Sequence, residues 1–567
     1  MNPSQQKISP SLQALLNRVK ERNSIPVTSP IPPSSEPPIV SEVRQVFSTP
    51  EGITYNEQQS EFISLASSGA DCVLIGAAGT GKTTCQKGAI SSLLQSGRIP
   101  AVEDTGGHKY LTQGSPGVIL TSFTRRAVRN LRRAVSSDLS NNCITLHKLL
   151  EYAPVEELIY DPESGQERTL WHFTPTRNES NPLPSSIKTI VFDEASMIST
   201  ELFAQLLAAL PHKVQFIFVG DIQQLPPVFG SAVLGFKLLS LPVVELTQVY
   251  RQALESPIIA LATQIRNGEI PYTAAQLTEN IVVEHPTQGK LTIRPWKKRL
   301  HADTALLTTA AFFKAAYTAG EYDPLEDQIL IPFNKACGTL ELNKHIANHI
   351  AISKGETVWQ VISGFNTFHF AVGDLVLYDK EDAEIVRIKK NGLYLGKSPQ
   401  KESKTLDYWG FDNTPPEKKA SDSDSDLQDL EGIDAFLNQA ASEISEKTNH
   451  ASHIVTVRMI DSGEEIDLDR SADINNLLLS FALTVHKSQG SEWRRVFVIF
   501  HQSHNTMIQR ELLYTAVTRA KQELYIICEP DHFEKGVRAQ KIKGTTLAEK
   551  AEYFKGKVDK NLLNSIN

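Results

Sequence analysis

Residues 76–83 read GAAGTGKT, directly after the apolar run CVLI and directly before a helix-compatible stretch, TTCQKGAISSLL. No other stretch restricts the fold as tightly. A G-x-x-x-x-G-K-[ST] loop works only between a buried strand and a helix N-terminus, where backbone N–H groups wrap phosphate oxygens and the helix end adds positive potential. Gly76, Gly79 and Gly81 give the loop its freedom, Lys82 reaches toward β/γ oxygens, and Thr83 is a Mg²⁺ ligand. With Thr84 these are the candidate nucleotide-binding residues, and the chain that carries them is an α/β protein.

The surroundings agree with that requirement. DCVLIG, GVILTSF, KTIVFDEAS and KVQFIFVGD each read as a buried parallel strand ending in polar residues, separated by helical stretches. Asp193 and Glu194 end the strand TIVF, where strand ends face a bound nucleotide. Asp193 is placed to hold Mg²⁺ through water, and Glu194 to orient or deprotonate an attacking water. A second α/β series begins at QILIPFN and resumes in LLLSFALTVH, RRVFVIF and ELYIIC. Two lobes are expected, over about 51–255 and over 256–365 with 474–535.

The second lobe is interrupted. Residues 366–473 contain short alternating strands with Gly turns that predict a small SH3-like β-barrel insertion, split by an acidic loop at about 400–450. Residues 401–450 hold five Lys/Arg against twelve Asp/Glu and account for most of the net charge of −8. The remainder is close to neutral, so the overall acidity does not exclude a polyanionic partner. The loop reads as a solvated linker, with mimicry of nucleic acid as the sharper alternative. In the first lobe, EELIYDPESGQERTLWHFTP reads as a β-hairpin insertion at about 151–186. Residues 1–50 are a Pro/Ser-rich tail and 536–567 a helical C-terminal tail. Five dispersed cysteines without a CxxC pair suggest neither a disulfide framework nor zinc. No apolar run is long enough to span a membrane, and the start lacks a signal-peptide pattern.

Further motifs narrow the reading. VGDIQQLPPV (219–228), ELTQVYRQ (245–252), ALTVHKSQGSEW (482–493) and LLYTAVTRAKQELYII (512–527) follow in that order. Together with the loop and the acidic pair, they resemble the motif set of superfamily 1 helicases, in particular the RecD/Dda-like branch, superfamily 1B. The resemblance covers about Tyr55 to Pro530. It implies two RecA-like P-loop NTPase lobes and an ATP- and Mg²⁺-dependent motor moving 5′ to 3′ on single-stranded DNA. It further implies that Gln59, with Gln58 as the alternative, contacts adenine and that Gln224 senses the γ-phosphate. Arg251 and Arg519 resemble the two arginines that stabilise charge on the transferring phosphoryl group. Gln489 and Gly490 are implied near the phosphates, Glu492 near the ribose, and Thr484 and His486 near the DNA backbone. Thr121, Phe123, Thr145 and His147 match segments that contact the single strand.

Arg125, Arg126, Arg129, Arg132 and Arg133 follow on a predicted helix, readable either as a solvated basic face or as a phosphate-binding one. In related helicases a hairpin at the position of 151–186 splits the duplex. Trp171 and Phe173 are the candidate wedge rings, against a packed hairpin core. Trp493 stands where relatives often carry Phe. Tailed duplex DNA is the implied substrate, replication or repair proteins are candidate partners, and a monomer in the cytoplasm of a bacterial or phage-infected cell is the expected setting. The same motifs would serve an RNA motor or a translocase that strips proteins from DNA. A nucleotide-switched binding protein is the competing class, disfavoured because the hydrolytic residues are all present.

Overall fold

Two sheets, most of whose strands run parallel, carry the chain in the computed structural model. It describes residues 54–101, 115–160, 167–227, 230–238, 240–249, 255–364, 366–378, 381–394, 450–460 and 462–558. The expected N-terminal tail, the acidic loop, Arg251 and the hairpin tip lie outside those residues.

The first sheet runs, in spatial order, Ile99–Pro100, Gly117–Ser122, Ile187–Phe192, Gln215–Gly220, Cys72–Gly76 and Val243–Leu246, with Cys143–Thr145 also pairing Gly117–Ser122. Every pairing is parallel. The strand preceding the glycine loop is therefore interior, and all five of its residues are buried. Its side chains alternate between faces: Val73 and Ile75 join one apolar core, Cys72 and Leu74 the other.

The second sheet has the order Ile281–His285, Gly289–Pro295, Ala520–Cys528, Trp493–Phe500, Asp327–Ile331, Ala482–Thr484. Only its first pair is antiparallel. The alternation recurs, with Val496, Val498 and Phe500 facing one core and Phe497 and Ile499 the other.

Between strands of this second sheet lies a five-stranded antiparallel sheet in the order Glu465–Arg470, His450–Met459, Glu381–Lys390, Leu375–Tyr378, Leu478–Leu479. A hairpin, Trp359–Ser363 with Asn366–Phe370, packs onto it. Val361, Phe370, Val457 and Leu477 share one core, which begins and ends a few residues outside 366–473. In the first lobe Tyr152–Tyr160 and Glu167–Pro175 pair antiparallel, with Trp171 opposite Glu156 and Phe173 opposite Pro154 in backbone register. The side chains of Trp171 and Phe173 lie outside the described residues.

The C-terminal segment serves both lobes. Helix Pro530–Arg538 places Phe533 and Val537 in the second lobe's core, whereas Ile542, Phe554 and Val558 enter the core of the first. All five cysteines are buried and free. Among the described residues no helix is long and apolar enough to cross a membrane.

Candidate functional site

The loop after Cys72–Gly76 has the conformation its glycines permit. Gly79 and Gly81 take φ of +78° and +83°, and Gly81 stands at the N-cap of helix Lys82–Gln95. A Cβ on Gly76 would lie 2.5 Å from Thr80 Oγ1, so that position is closed to side chains. The Lys82 ammonium donates to the carbonyls of Gly76 at 2.7 Å and Ala77 at 3.0 Å. Gly79 and Thr83 are exposed and Thr84 is half-buried, leaving the helix N-terminus open to a phosphate-bearing ligand.

Asp193 and Glu194 follow the end of Ile187–Phe192, with Glu194 at φ +48°, a left-handed conformation that non-glycine residues adopt at a cost. Asp193 keeps some surface, yet desolvation first and the Glu194 charge second push its carboxyl up to about 7. Gln224 is buried and accepts from Arg519 Nη2 at 3.1 Å. Arg519, 3% exposed, comes from the second lobe, and its Nη1 lies 4.0 Å from Glu194. Nε donates to Thr515 O at 3.0 Å and Nη1 to Ser491 O at 3.3 Å, which fixes the guanidinium before it crosses.

The stretch ALTVHKSQGSEW is the other half of this seam. It folds as strand Ala482–Thr484 and a single turn, His486–Ser488. Gln489 Nε2 then donates to Leu225 O of the first lobe at 3.0 Å. Gly490, at φ +76°, lies so close to the helix Arg125–Ala134 that a Cβ would meet Ala127 Cβ at 2.6 Å. Its carbonyl accepts from Asn130 Nδ2 at 2.7 Å. Glu492 is exposed and 3.6 Å from Lys521.

Several expected contacts are placed differently. Gln59 is 1% exposed and spends its Oε1 on a capping box with Asn56 at 3.2 Å, and its Nε2 is buried without a partner among the described residues. Gln58 pairs reciprocally with Thr247, at 3.0 and 3.1 Å. Thr121, expected as a strand-contacting hydroxyl, is fully buried because it still belongs to strand Gly117–Ser122, and its carbonyl accepts from Asp193 N at 2.9 Å. Thr484 is likewise buried, its Oγ1 accepting from Lys487 N at 3.3 Å. Half-buried Phe123, His147 and Tyr152 form a T-shaped aromatic series with centroids 5.2 and 5.0 Å apart. Thr145 caps the short helix Leu146–Leu149 that carries His147, and His486 is half-buried on the second lobe.

The arginine-rich helix is divided: Arg126 and Arg129 turn to the inserted sheet, whereas Arg125, Arg132 and Arg133 are exposed. Arg126 makes a bidentate pair with Asp382 of the inserted sheet, Arg129 lies 3.6 Å from the same carboxylate, and Arg125 is 2.7 Å from Glu381. Arg132 Nε donates to Cys143 O at 3.2 Å. The insertion thus docks on the first lobe through complementary charge. Asp382→Asn is expected to cost about 1–2 kcal/mol, since this pair is mostly shielded from water. Thermal unfolding at low salt checks it, and an unchanged profile would show that the pair does not hold the insertion.

Sequence reasoning missed Tyr514 and Thr515, whose hydroxyls both cross the seam: Tyr514 donates to Asp221 at 2.6 Å and Thr515 accepts from Leu225 N at 3.0 Å. The i, i+4 spacing of Thr515 and Arg519 on helix Arg510–Val517 and its C-terminal turn was the available signal.

A model of an AAA domain matches residues 59–230, and one of a UvrD-like helicase C-terminal domain matches 479–527. The chain is 26% identical over 473 residues to the ATP-dependent RecD2 DNA helicase of Deinococcus radiodurans, covering 83% of this chain and 48% of that protein. It thus spans about half the length of that relative. It is 24% identical over 517 residues to the RecBCD enzyme subunit RecD of Mycolicibacterium smegmatis, covering 87% of this chain and 74% of the subunit. With the ATP-dependent DNA helicase dda of Enterobacteria phage T4 it shares 24% identity over 475 residues, 80% of this chain and 93% of that one. Two matched segments, one in each lobe, the motifs meeting across one seam and relatives aligned along most of this chain agree in making it similar to the RecD and Dda helicases.

Proposed function

We propose that the chain is an ATP-driven motor that moves 5′ to 3′ on single-stranded DNA and unwinds duplex ahead of it. The observation that carries the reading is Arg519 of the second lobe reaching Gln224 at 3.1 Å and Glu194 at 4.0 Å in the first. A residue needed for hydrolysis that arrives from another lobe ties each turnover to lobe closure and opening.

In this reading the N–H groups of the Gly76–Thr84 loop cradle the phosphates, Lys82 neutralises their developing charge, and Glu194 orients the attacking water. Gln224 reports the γ-phosphate, while Arg519 and Arg251 stabilise the transferring group. Gln489, Gly490 and Glu492 respond from the second lobe, and adenine lies by Gln58 and Gln59. The exposed Thr83 hydroxyl and the Asp193 carboxylate, next to a cradle that admits no Cβ at Gly76, fit Mg²⁺. When bound, that ion would neutralise phosphate oxygens. The track runs over Phe123, Thr145, His147 and His486, with Tyr152 extending the stacking surface and Thr121 and Thr484 supporting it from beneath. The hairpin Tyr152–Pro175 is the duplex-splitting element, and the inserted sheet is the SH3-like unit.

The test uses duplexes with a single-stranded tail on the 5′ or the 3′ side, with ATP and Mg²⁺ and with Lys82→Ala as control. Unwinding from the 5′ tail alone, lost in the control, is expected. Unwinding from the 3′ tail alone would overturn the polarity. DNA-stimulated hydrolysis without unwinding would turn the reading toward a protein-displacing translocase.

A further inference from the structure

We propose that the C-terminal helix Leu547–Lys555 belongs to the positioning machinery of ATP hydrolysis, Lys550 and Tyr514 gripping the Asp221–Gln224 loop at Gln223 and at Asp221; the inference rests on the ATPase reading above. The segment that carries Lys550 is fastened to both lobes. On the second, the buried Glu511 carboxylate accepts the N–H groups of Lys541 at 3.1 Å and Ile542 at 2.8 Å. On the first, the Phe554 ring lies against helix Val233–Lys237 at Gly235, where a Cβ would be 2.1 Å from a ring carbon. Ser231 Oγ donates to Phe554 O at 3.3 Å beside it. The chain end is thus a strap across the two halves of the motor.

From the strap a continuous line of hydrogen bonds reaches the glycine loop. Lys550, 2% exposed, donates to Gln223 Oε1. Gln223 N donates to Asp221 Oδ1 at 3.0 Å, and the fully buried Asp221 accepts the Tyr514 hydroxyl on Oδ2 at 2.6 Å. The same hydroxyl accepts from Ala78 N of the glycine loop at 3.0 Å. A buried ammonium and a buried carboxylate are costly unless paired and fully hydrogen-bonded, so this arrangement holds the loop in one geometry or fails. Burial pulls the Lys550 ammonium down to about 8, against the opposing charges of Glu511 and Asp221, with Arg266 and Arg510 also bearing on it.

Lys550 bonds to Gln223, and Tyr514 to Asp221 and Ala78, so both are positioning residues. Their effect reaches hydrolysis through Gln224, the next residue after Gln223, and through the backbone of the glycine loop. Loss of the grip therefore displaces groups that act in the transition state, which lowers kcat and leaves nucleotide binding largely in place.

Single-stranded-DNA-stimulated ATP hydrolysis by the full chain tests this in Tyr514→Phe, which keeps the ring, in Lys550→Met, which keeps the bulk, and in the double variant. We expect kcat to fall about tenfold in each single variant with KM for ATP within about twofold. The double variant should lose no more than about thirtyfold, because both act on one loop. Lys550→Arg should recover most of the rate. The proposal is overturned if both single variants keep kcat within about twofold, if only KM rises, if the double variant loses the full product of the two, or if the loss follows a fall in thermal midpoint that Lys550→Arg does not restore. No stimulated hydrolysis by the unchanged protein would instead overturn the ATPase reading itself.

Discussion

Lys82→Ala is expected to lower DNA-stimulated ATP hydrolysis by about 10³-fold or more while the fold and DNA binding persist. The magnitude follows from what one ammonium does at a transferring phosphoryl group. Phosphoryl transfer offers the protein little covalent chemistry, so the rate depends on positioned charge, and in a partly enclosed cleft each positioned donor is worth several kcal/mol of barrier. The structural cost is small by comparison. Lys82 donates only to the loop carbonyls of Gly76 and Ala77, at 2.7 and 3.0 Å, and lies at a helix N-terminus where a cation is electrostatically disfavoured. Truncation there should shift stability by less than about 1 kcal/mol. Steady-state hydrolysis, thermal unfolding and binding of a fluorescent single strand separate the effects. Retention of hydrolysis within about tenfold would remove Lys82 from the chemistry.

The glycine loop and the acidic pair were legible in the sequence because their signals are local. A glycine loop between a five-residue buried strand and a helix, and an acidic pair just past the end of Ile187–Phe192, are spacings along one chain segment, and the folded sheet merely sets them side by side. The two α/β series were legible for the same reason, each strand being a short apolar run with both faces covered. What lay hidden is what joins distant segments. Asp382 neutralises Arg126 from 256 residues away, Tyr514 reaches Asp221 across 293, and Lys550 reaches Gln223 across 327. No periodicity carries such information: an arginine-rich helix looks the same whether water, phosphate or a carboxylate pair faces it. Burial was hidden in the same way: Thr121, expected to contact the single strand, lies within strand Gly117–Ser122, and Gln59 gives its side-chain oxygen to the N-cap of its own helix.

Arg519→Ala should cost about 10³-fold in hydrolysis, and Arg519→Lys nearly as much. The guanidinium is held by Thr515 O, Ser491 O and Thr518 Oγ1 of its own lobe, and the remaining edge crosses to Gln224. Lysine keeps the charge but lacks the planar fork that satisfies these acceptors together, so it would leave buried oxygens unpaired and deliver its charge to a different point. Because the residue arrives from the second lobe, its loss should do more than slow the chemistry. ATP should still bind the first lobe, yet closing the lobes would no longer complete the site, so hydrolysis and movement fail together while nucleotide affinity changes by less than about tenfold. Buried as it is, Arg519 also contributes to folding, and Ala at this position should cost about 2–3 kcal/mol. That cost is read from thermal unfolding and kept apart from the kinetic loss by measuring hydrolysis well below the midpoint. A variant that binds nucleotide, stays folded and still hydrolyses ATP within about tenfold of the unchanged protein would overturn the proposed coupling of hydrolysis to lobe closure through Arg519.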